Sequence, residues 1–333
     1  MNGKFVLILM IALLSMTACS DNGIGIEFGD IVNLVEGILP SGNGAEGNAP
    51  SGEERQGEPW VVVSPSQIRV AGTGDVYLYQ DGVTIDTSNV SDGYVMVRYT
   101  GNAGRVVAQL IKGEDTYIFD INTGGRWEIL PLPLGNGTYT LNILENIEGQ
   151  VFALIVSTNI AVTLSNPLSP FLYPNQFVYF NTNSRAVALA AELAEGAIGE
   201  LGVVANIYNY IITNIEYDFE KAAAIVEGRI TSYVPDIDVT LATGKGICFD
   251  YASLMAAMLR AQLIPTRLEI GYVSGGIYHA WITVYTREHG WVGAAHFRGT
   301  DWTLMDPTFS AGQALDLADF IGDGTNYLTM FIY

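Results

Sequence analysis

The sequence predicts an α+β protein in which a β-sandwich of immunoglobulin-like size precedes helices and a second set of strands. Short apolar, β-branched runs separated by Gly, Asn and Asp repeat at near-even spacing between Trp60 and Leu164. Apolar residues recur at helical spacing from Arg185 onward. Strand-like runs return at Thr266. The order of these patterns predicts one all-β region followed by one mixed region.

Length and composition limit the function classes. A chain of 333 residues suggests about two domains. With 49% hydrophobic and 15% charged residues, the chain has enough apolar surface for a core, so wholesale disorder is excluded. The net charge of −20 would repel a phosphate backbone, which argues against nucleic-acid binding.

Residues 1–18 read as a signal peptide. The apolar run from Phe5 to Leu14 follows Lys4 and is too short to span a bilayer. Small residues before Cys19 resemble the lipobox of bacterial lipoproteins, although Met16 departs from the usual Leu. The resemblance implies a lipid on Cys19 and an extracytoplasmic protein anchored to a bacterial cell membrane. The alternative is an ordinary signal peptide in which Cys19 has no role.

Residues 19–58 are predicted to be an acidic, flexible tether rich in Gly, Pro and Ser. A formal G-x-G-x-x-G spans Gly42 to Gly47, but no strand pattern precedes it and no helix pattern follows, so a dinucleotide site is not predicted. Residues 59–166 form the predicted β-sandwich domain. No His or Cys lies between residues 20 and 247, so this domain is expected to be a spacer or a recognition module for a cell-wall or surface partner.

Residues 167–333 form the second predicted domain. Ser184 is expected to cap a helix over Arg185–Ala194, with further helices over Leu201–Ile215 and Phe219–Glu227. A Gly-Lys-Gly turn then precedes Cys248, which starts an apolar helical pattern reaching Gln262. The amino terminus of a helix carries partial positive charge, which stabilises a thiolate.

A strand over Thr266–Val273 is predicted after the cysteine helix, and two further strand-like segments follow it. His279 lies near the start of the first of these two, and Asp306 precedes Pro307 at the end of the second. Cys, His and Asp in this order suit thiol catalysis, in which the imidazole takes the thiol proton and the carboxylate orients the imidazole. Asp306 could instead cap the turn at Pro307, and His279 or Cys248 could be buried structural residues.

The joint spacing of these motifs resembles the transglutaminase-like superfamily. The matching stretches, which cover roughly residues 185–312, are Gly246-x-Cys248-x-Asp250-Tyr251-Ala252, Leu259-Arg260, Ile264-Pro265-x-Arg267, Gly271-Tyr272, His279-Ala280-Trp281 and Asp306-Pro307-Thr308. The resemblance implies a papain-like core with the cysteine helix packed on an antiparallel sheet. It also implies a catalytic triad of Cys248, His279 and Asp306. Tyr217 is the nearest candidate for the aromatic oxyanion donor of animal transglutaminases, although no motif matches exactly.

The predicted function is thiol acyl transfer on protein or peptide amides. Water as acceptor would make the protein a cysteine peptidase or amidase, and a Lys amine would make it a crosslinker; we favour hydrolysis slightly. His289 and His296 are expected at the surface, and Asp250 and Asp218 in structural hydrogen bonds. No cofactor or metal is predicted, because the His and Cys residues show no ligand spacing, and no calcium loop is visible. The alternative is a non-catalytic adhesion protein that binds a cell surface through its β-sandwich.

Overall fold

The computed structural model describes residues 58–273, 276–292, 295–298, 301–304 and 327–333. The predicted signal peptide and nearly all of the predicted tether lie outside this range. In the described part of the chain, no helix is both long enough and apolar enough to cross a bilayer.

Two four-stranded antiparallel sheets make up the amino-terminal half. The first has the order β1-β2-β3-β6 and the second has the order β5-β4-β7-β8. The strands are β1 Tyr77–Gln80, β2 Val83–Asp86, β3 Tyr94–Tyr99, β4 Val106–Lys112, β5 Asp115–Ile121, β6 Glu128–Pro131, β7 Gly137–Glu148 and β8 Val151–Val162.

The two sheets pack together through alternating side chains. Val83 and Val95 of the first sheet belong to the same buried cluster as Ala108 and Leu141 of the second. Period-2 alternation places such residues on one face of each sheet, so the arrangement is a sandwich. Asp81 and Gly82 join β1 to β2, and both have positive φ (50° and 82°), as a two-residue hairpin turn requires.

The apolar run Val61–Val63 predicts a first strand of the sandwich, and this prediction is wrong. Both backbone polar groups of Val63 bond instead to the side-chain amide of Gln262, at 3.0 Å each. Trp60 donates its backbone N–H to the Ala197 carbonyl at 2.8 Å. An amide side chain thus supplies the bonds that a neighbouring strand would have offered, and this leading segment lies against the carboxy-terminal half.

Five α-helices and a third four-stranded sheet form the described part of the carboxy-terminal half. The helices are α1 Arg185–Ala194, α2 Gly199–Asn214, α3 Phe219–Val226, α4 Ile237–Thr243 and α5 Cys248–Ala261. The sheet has the antiparallel order β13-β12-β11-β16. Its strands are β11 Thr266–Val273, β12 Ile277–Thr286, β13 Gly290–Val292 and β16 Leu328–Ile332. Two short pairs complete the described strands, β9 Glu216–Tyr217 with β10 Lys245–Gly246 and β14 Ala295–Arg298 with β15 Asp301–Leu304.

Acidic side chains cap two of the described helices. Asp218 accepts the Lys221 N–H at the start of α3, and Asp236 accepts two N–H groups at the start of α4. Ser184 precedes α1 as predicted, but its hydroxyl accepts from the Asn181 N–H rather than from the helix. The turn before α1, and not the helix, uses this hydroxyl.

Helix α5 is the centre of this half. Every residue from Phe249 to Ala261 is buried, as expected for a helix that is apolar on all sides. It packs on β11 and β12 along one side and on α1, α2 and α4 along the others. This confirms the predicted packing of the cysteine helix on an antiparallel sheet.

The core continues from one half into the other. The rings of Phe119 in β5 and Phe177 stack at 5.7 Å between centroids, and Tyr333 meets Tyr117 edge-on at 5.5 Å. Tyr333, the residue that follows β16, therefore packs at the boundary between the sandwich and the helical half.

Arg260 is a fully buried cation on α5. It donates to the carbonyl oxygens of Tyr173 at 2.9 Å, Thr266 at 2.9 Å and Tyr333 at 2.7 Å. Burial lowers the pKa of this guanidinium, yet three acceptors compensate its charge. One side chain thus joins the helix to the segment between β8 and α1, to β11 and to the residue that follows β16.

We expect Arg260→Met to lower the free energy of unfolding by roughly 3 kcal/mol or more, because three buried carbonyls lose their donor. Arg185→Met is the control, since Arg185 is exposed on α1, and a change within about 0.5 kcal/mol is expected there. Equilibrium unfolding in urea measures both. Equal losses in the two variants would contradict the structural role of Arg260.

Candidate active site

Cys248 is the first residue of α5 and is partly exposed, with a free thiol. The residues before it form a short parallel pair in which Gly246 of β10 lies opposite Tyr217 of β9. Two backbone bonds flank the pair, from Glu216 N–H to the Gly244 carbonyl at 2.8 Å and from Asp218 N–H to the Gly246 carbonyl at 2.9 Å. This pairing brings Tyr217 beside the start of the cysteine helix, although about thirty residues separate them in the chain.

A buried carboxylate holds the first turn of α5. Asp250 has no exposed surface and accepts the Ile247 N–H at 2.8 Å. It also accepts the Tyr233 hydroxyl at 2.5 Å and the Lys221 ammonium at 2.9 Å. Asp250 thus makes structural hydrogen bonds, as Asp218 does in capping α3.

Two tyrosines lie within electrostatic reach of the Cys248 sulfur. Burial, followed by the charge of a Cys248 thiolate, raises the pKa of Tyr217. Burial also raises the pKa of Tyr278 in β12 to about 12, with smaller contributions from Tyr272 and Cys248. Both phenols therefore keep their protons at neutral pH and are hydrogen-bond donors.

His279 follows Tyr278 in β12, opposite Gly271 of β11, and is 4% exposed. Its ring lies 6.3 Å from that of Trp281, nearly parallel to it. The alternate residues Ala280 and Ile282 belong to the core that packs against α5. Side chains alternate along a strand, so His279 and Trp281 share the face of the sheet opposite to these two residues.

The remaining predicted residues are distributed as follows. His289 lies in the turn between β12 and β13, where its ring faces Glu288 at 3.6 Å. His296 belongs to β14. Asp306 and Cys19 lie outside the described residues. Among the described residues, no three His, Cys, Asp or Glu side chains come together as a set of metal ligands.

A model of the transglutaminase-like superfamily matches residues 187–295. The matched range includes both Cys248 and His279 and ends before Asp306. Residues 187–295 are a transglutaminase-like core domain. The assignment confirms the resemblance found in the sequence motifs.

Two relatives match parts of the chain. A protein-glutamine gamma-glutamyltransferase of Pseudomonas aeruginosa is 31% identical over 123 residues, which cover 33% of this chain and 18% of that protein. A UPF0252 protein of Methanocaldococcus jannaschii is 33% identical over 89 residues, which cover 24% of this chain and 25% of that protein. The chain thus spans a quarter or less of the length of either relative.

Two solved structures are also similar to this chain. The periplasmic domain of TgpA from Pseudomonas aeruginosa is 17% identical, with 73% of this chain and all of that chain covered and a TM-score of 0.31. A candidate cysteine protease from Cytophaga hutchinsonii is 15% identical, with 72% and 83% covered and a TM-score of 0.33.

Sequence reasoning missed three residues around the cysteine of the transglutaminase-like domain. Lys221 and Tyr233 reach Asp250 from elements 29 and 17 residues away in the chain, and no local pattern links them. Tyr278 lies in the predicted strand, directly before His279, but its role was not recognised. The available signal was the period of two along the strand, which puts Tyr278 on the same face as the core residues Ala280 and Ile282 and therefore on the side of α5.

Gly246→Ala tests the geometry of the first turn of α5. A Cβ at Gly246 would lie 2.7 Å from the Asp250 Cβ, so the first turn must move. We expect the rate of iodoacetamide alkylation at Cys248 to fall by up to about fivefold, because a displaced sulfur loses the stabilisation of its thiolate by the helix terminus, which is worth about 1 kcal/mol at most. Mass spectrometry of the Cys248 peptide measures this rate.

Gly104→Ala is the matched control, because nothing lies within 4 Å of the added Cβ. Its alkylation rate should equal that of the wild type. An unchanged rate in Gly246→Ala would show that the glycine does not set the position of the thiol.

Proposed function

We propose that this chain is a cysteine-dependent acyltransferase or peptidase that acts on protein or peptide amides. The transglutaminase-like fold supports acyl transfer or peptide hydrolysis in general terms. The observation that carries the specific proposal is the free thiol of Cys248 at the first residue of a buried helix, beside a protonated tyrosine. A helix amino terminus favours the thiolate, which is the nucleophilic form of cysteine.

The reaction proceeds through a thioester. The Cys248 sulfur attacks the amide carbonyl and forms a C–S bond, and the C–N bond breaks as the amine leaves with a proton from His279. The Cys248 N–H and the Tyr217 hydroxyl are the proposed donors to the oxyanion. Water then releases a carboxylic acid, or a Lys amine forms a new amide, and the thiol is regenerated. We favour hydrolysis slightly.

The proposal sets a condition on His279. Strand alternation gives His279 the face of the sheet opposite to that of Ala280, which packs with α5. The proposed pair therefore requires the imidazole to reach the sulfur around the first residue of β12, Ile277. Asp306 is proposed to orient the imidazole from outside the described residues.

The pH dependence of Cys248 alkylation tests the proposed pair of the Cys248 thiolate and the His279 imidazole. We expect wild type to react well below pH 8.5, the approximate midpoint of a free thiol, and His279→Ala to lose this reactivity. Cys248→Ala should abolish acid and ammonia release from peptide amides. Tyr217→Phe keeps the ring and should lower turnover by about tenfold or more without moving the alkylation midpoint.

Equal midpoints in wild type and His279→Ala would overturn the thiolate–imidazole pair. Persistent amide turnover in Cys248→Ala would overturn the thioester mechanism. His289→Ala is the control, because His289 lies in a surface turn, and its midpoint should match that of the wild type.

We also propose that the protein is a lipoprotein anchored to a bacterial cell membrane through Cys19. The small residues before Cys19 support this. Labelled palmitate supplied to expressing cells should be incorporated into wild type and lost in Cys19→Ser. Cys248→Ser is the matched control and should keep the label, and incorporation into Cys19→Ser would refute the anchor.

A further inference from the structure

We propose that Lys221 sets the reactivity of Cys248 by cancelling the charge of Asp250 beneath the first turn of α5. The inference rests on the proposed function only in taking Cys248 as the nucleophile. Lys221 is therefore a positioning and charge-balancing residue rather than one that contacts substrate.

The contacts show why a charge must be balanced here. Asp250 is fully buried two residues after Cys248, and the Lys221 ammonium at 2.9 Å is its charged partner among the described residues, with a side chain only 20% exposed. Tyr233 adds a neutral donor to the same carboxylate. The charge of Asp250 contributes to the raised pKa of Tyr217, as does that of Cys248, so both anions act on the same small region.

The carboxylate has two opposing effects on the thiol. It fixes the helix start by accepting the Ile247 N–H, which keeps the Cys248 sulfur at the positive end of α5. Its negative charge, if left alone, would disfavour a second anion nearby. The Lys221 ammonium removes this repulsion and leaves the hydrogen bond in place, so the sulfur benefits from the helix terminus.

Other titratable groups surround the first turn. They lie on the elements packed around α5 and on the segment before α4, and none of them forms an ion pair with Asp250 among the described contacts. These groups are Glu216, Tyr217, Asp218, Tyr233, Lys245, Tyr278 and His279.

The sequence around Asp250 is adapted to this arrangement. Gly246 leaves room for the carboxylate to fold back, since a Cβ there would meet the Asp250 Cβ at 2.7 Å. Asp218 caps α3 through the Lys221 N–H, and this fixes the position from which the Lys221 side chain extends. The Asp218 cap, the space left by Gly246 and the Lys221 ion pair therefore all help to place the Asp250 carboxylate.

Opposite charge changes give opposite results under this proposal. We expect Lys221→Met to raise the pH midpoint of Cys248 alkylation by about one unit, because an uncompensated carboxylate disfavours the thiolate. Asp250→Asn should lower the midpoint by about as much, because it leaves Lys221 uncompensated. The double variant Lys221→Met/Asp250→Asn should return to the wild-type midpoint. The full chain is used, and mass spectrometry follows the Cys248 peptide.

Lys221→Arg is the matched control, because it keeps the charge and should keep the midpoint. A merely structural role for the pair would move both single variants in the same direction and would not be rescued by the double variant. Either that result or an unchanged midpoint in Lys221→Met would overturn the proposal. If Lys221→Met does not fold, Asp250→Asn against Lys221→Arg decides, since only charge balance predicts a lowered midpoint.

These variants separate the two proposals. Alkylation requires only an accessible thiol, so opposite shifts remain measurable even if His279→Ala matches wild type and the proposed enzyme mechanism fails. Conversely, an active enzyme with unshifted midpoints in the Lys221 and Asp250 variants would overturn the charge balance alone.

Discussion

The buried carboxylate of Asp250 links three separate segments of the chain. Its partners come from the first turn of α3, from the segment before α4 and from the backbone at the start of α5. Burying a charge is costly unless it is paired and hydrogen-bonded, so these segments must be in place together. The position of Cys248 follows from this constraint, because the helix start cannot shift without losing bonds to Asp250. The placement of these three segments around the sulfur therefore depends on their bonds to the Asp250 carboxylate.

Arg260 has the corresponding role at the other end of α5. This single cation bonds to the segment between β8 and α1, to β11 and to Tyr333 after β16. The Tyr333 ring in turn contacts Tyr117 of the sandwich. The helix that presents the thiol is therefore held at both ends by buried ionic groups, with an apolar middle between them. Packing along the helix and bonds at both ends fix its position, and the position of the thiol with it.

The sequence predicted the elements whose patterns are long and local. Helix α1 has the predicted bounds, α5 starts at the predicted cysteine, and β11 spans the predicted residues. Short strands such as β2, β6 and β16 were not predicted, since each has only four or five residues. Strand β2 pairs with β1 across a tight turn, and β6 and β16 pair with strands distant in the chain. The local motifs selected Cys248 and His279 as candidate site residues, with Tyr217 as an oxyanion candidate, and these roles stay predictions. The contacts of Lys221, Tyr233 and Tyr278 depend on tertiary packing, which no local spacing encodes.

The leading segment also determines how the molecule would be presented. The Glu58 carbonyl accepts from Gly199, and Trp60 bonds to Ala197 and Gln262, so the chain enters the described structure on the helical half. The entry point lies beside Gln262, which follows the last turn of α5, at the end of the helix opposite to Cys248. If the polypeptide that precedes Glu58 attaches the protein to a surface, the point of entry and the thiol lie about 20 Å apart along the axis of α5, so the length of this helix separates them.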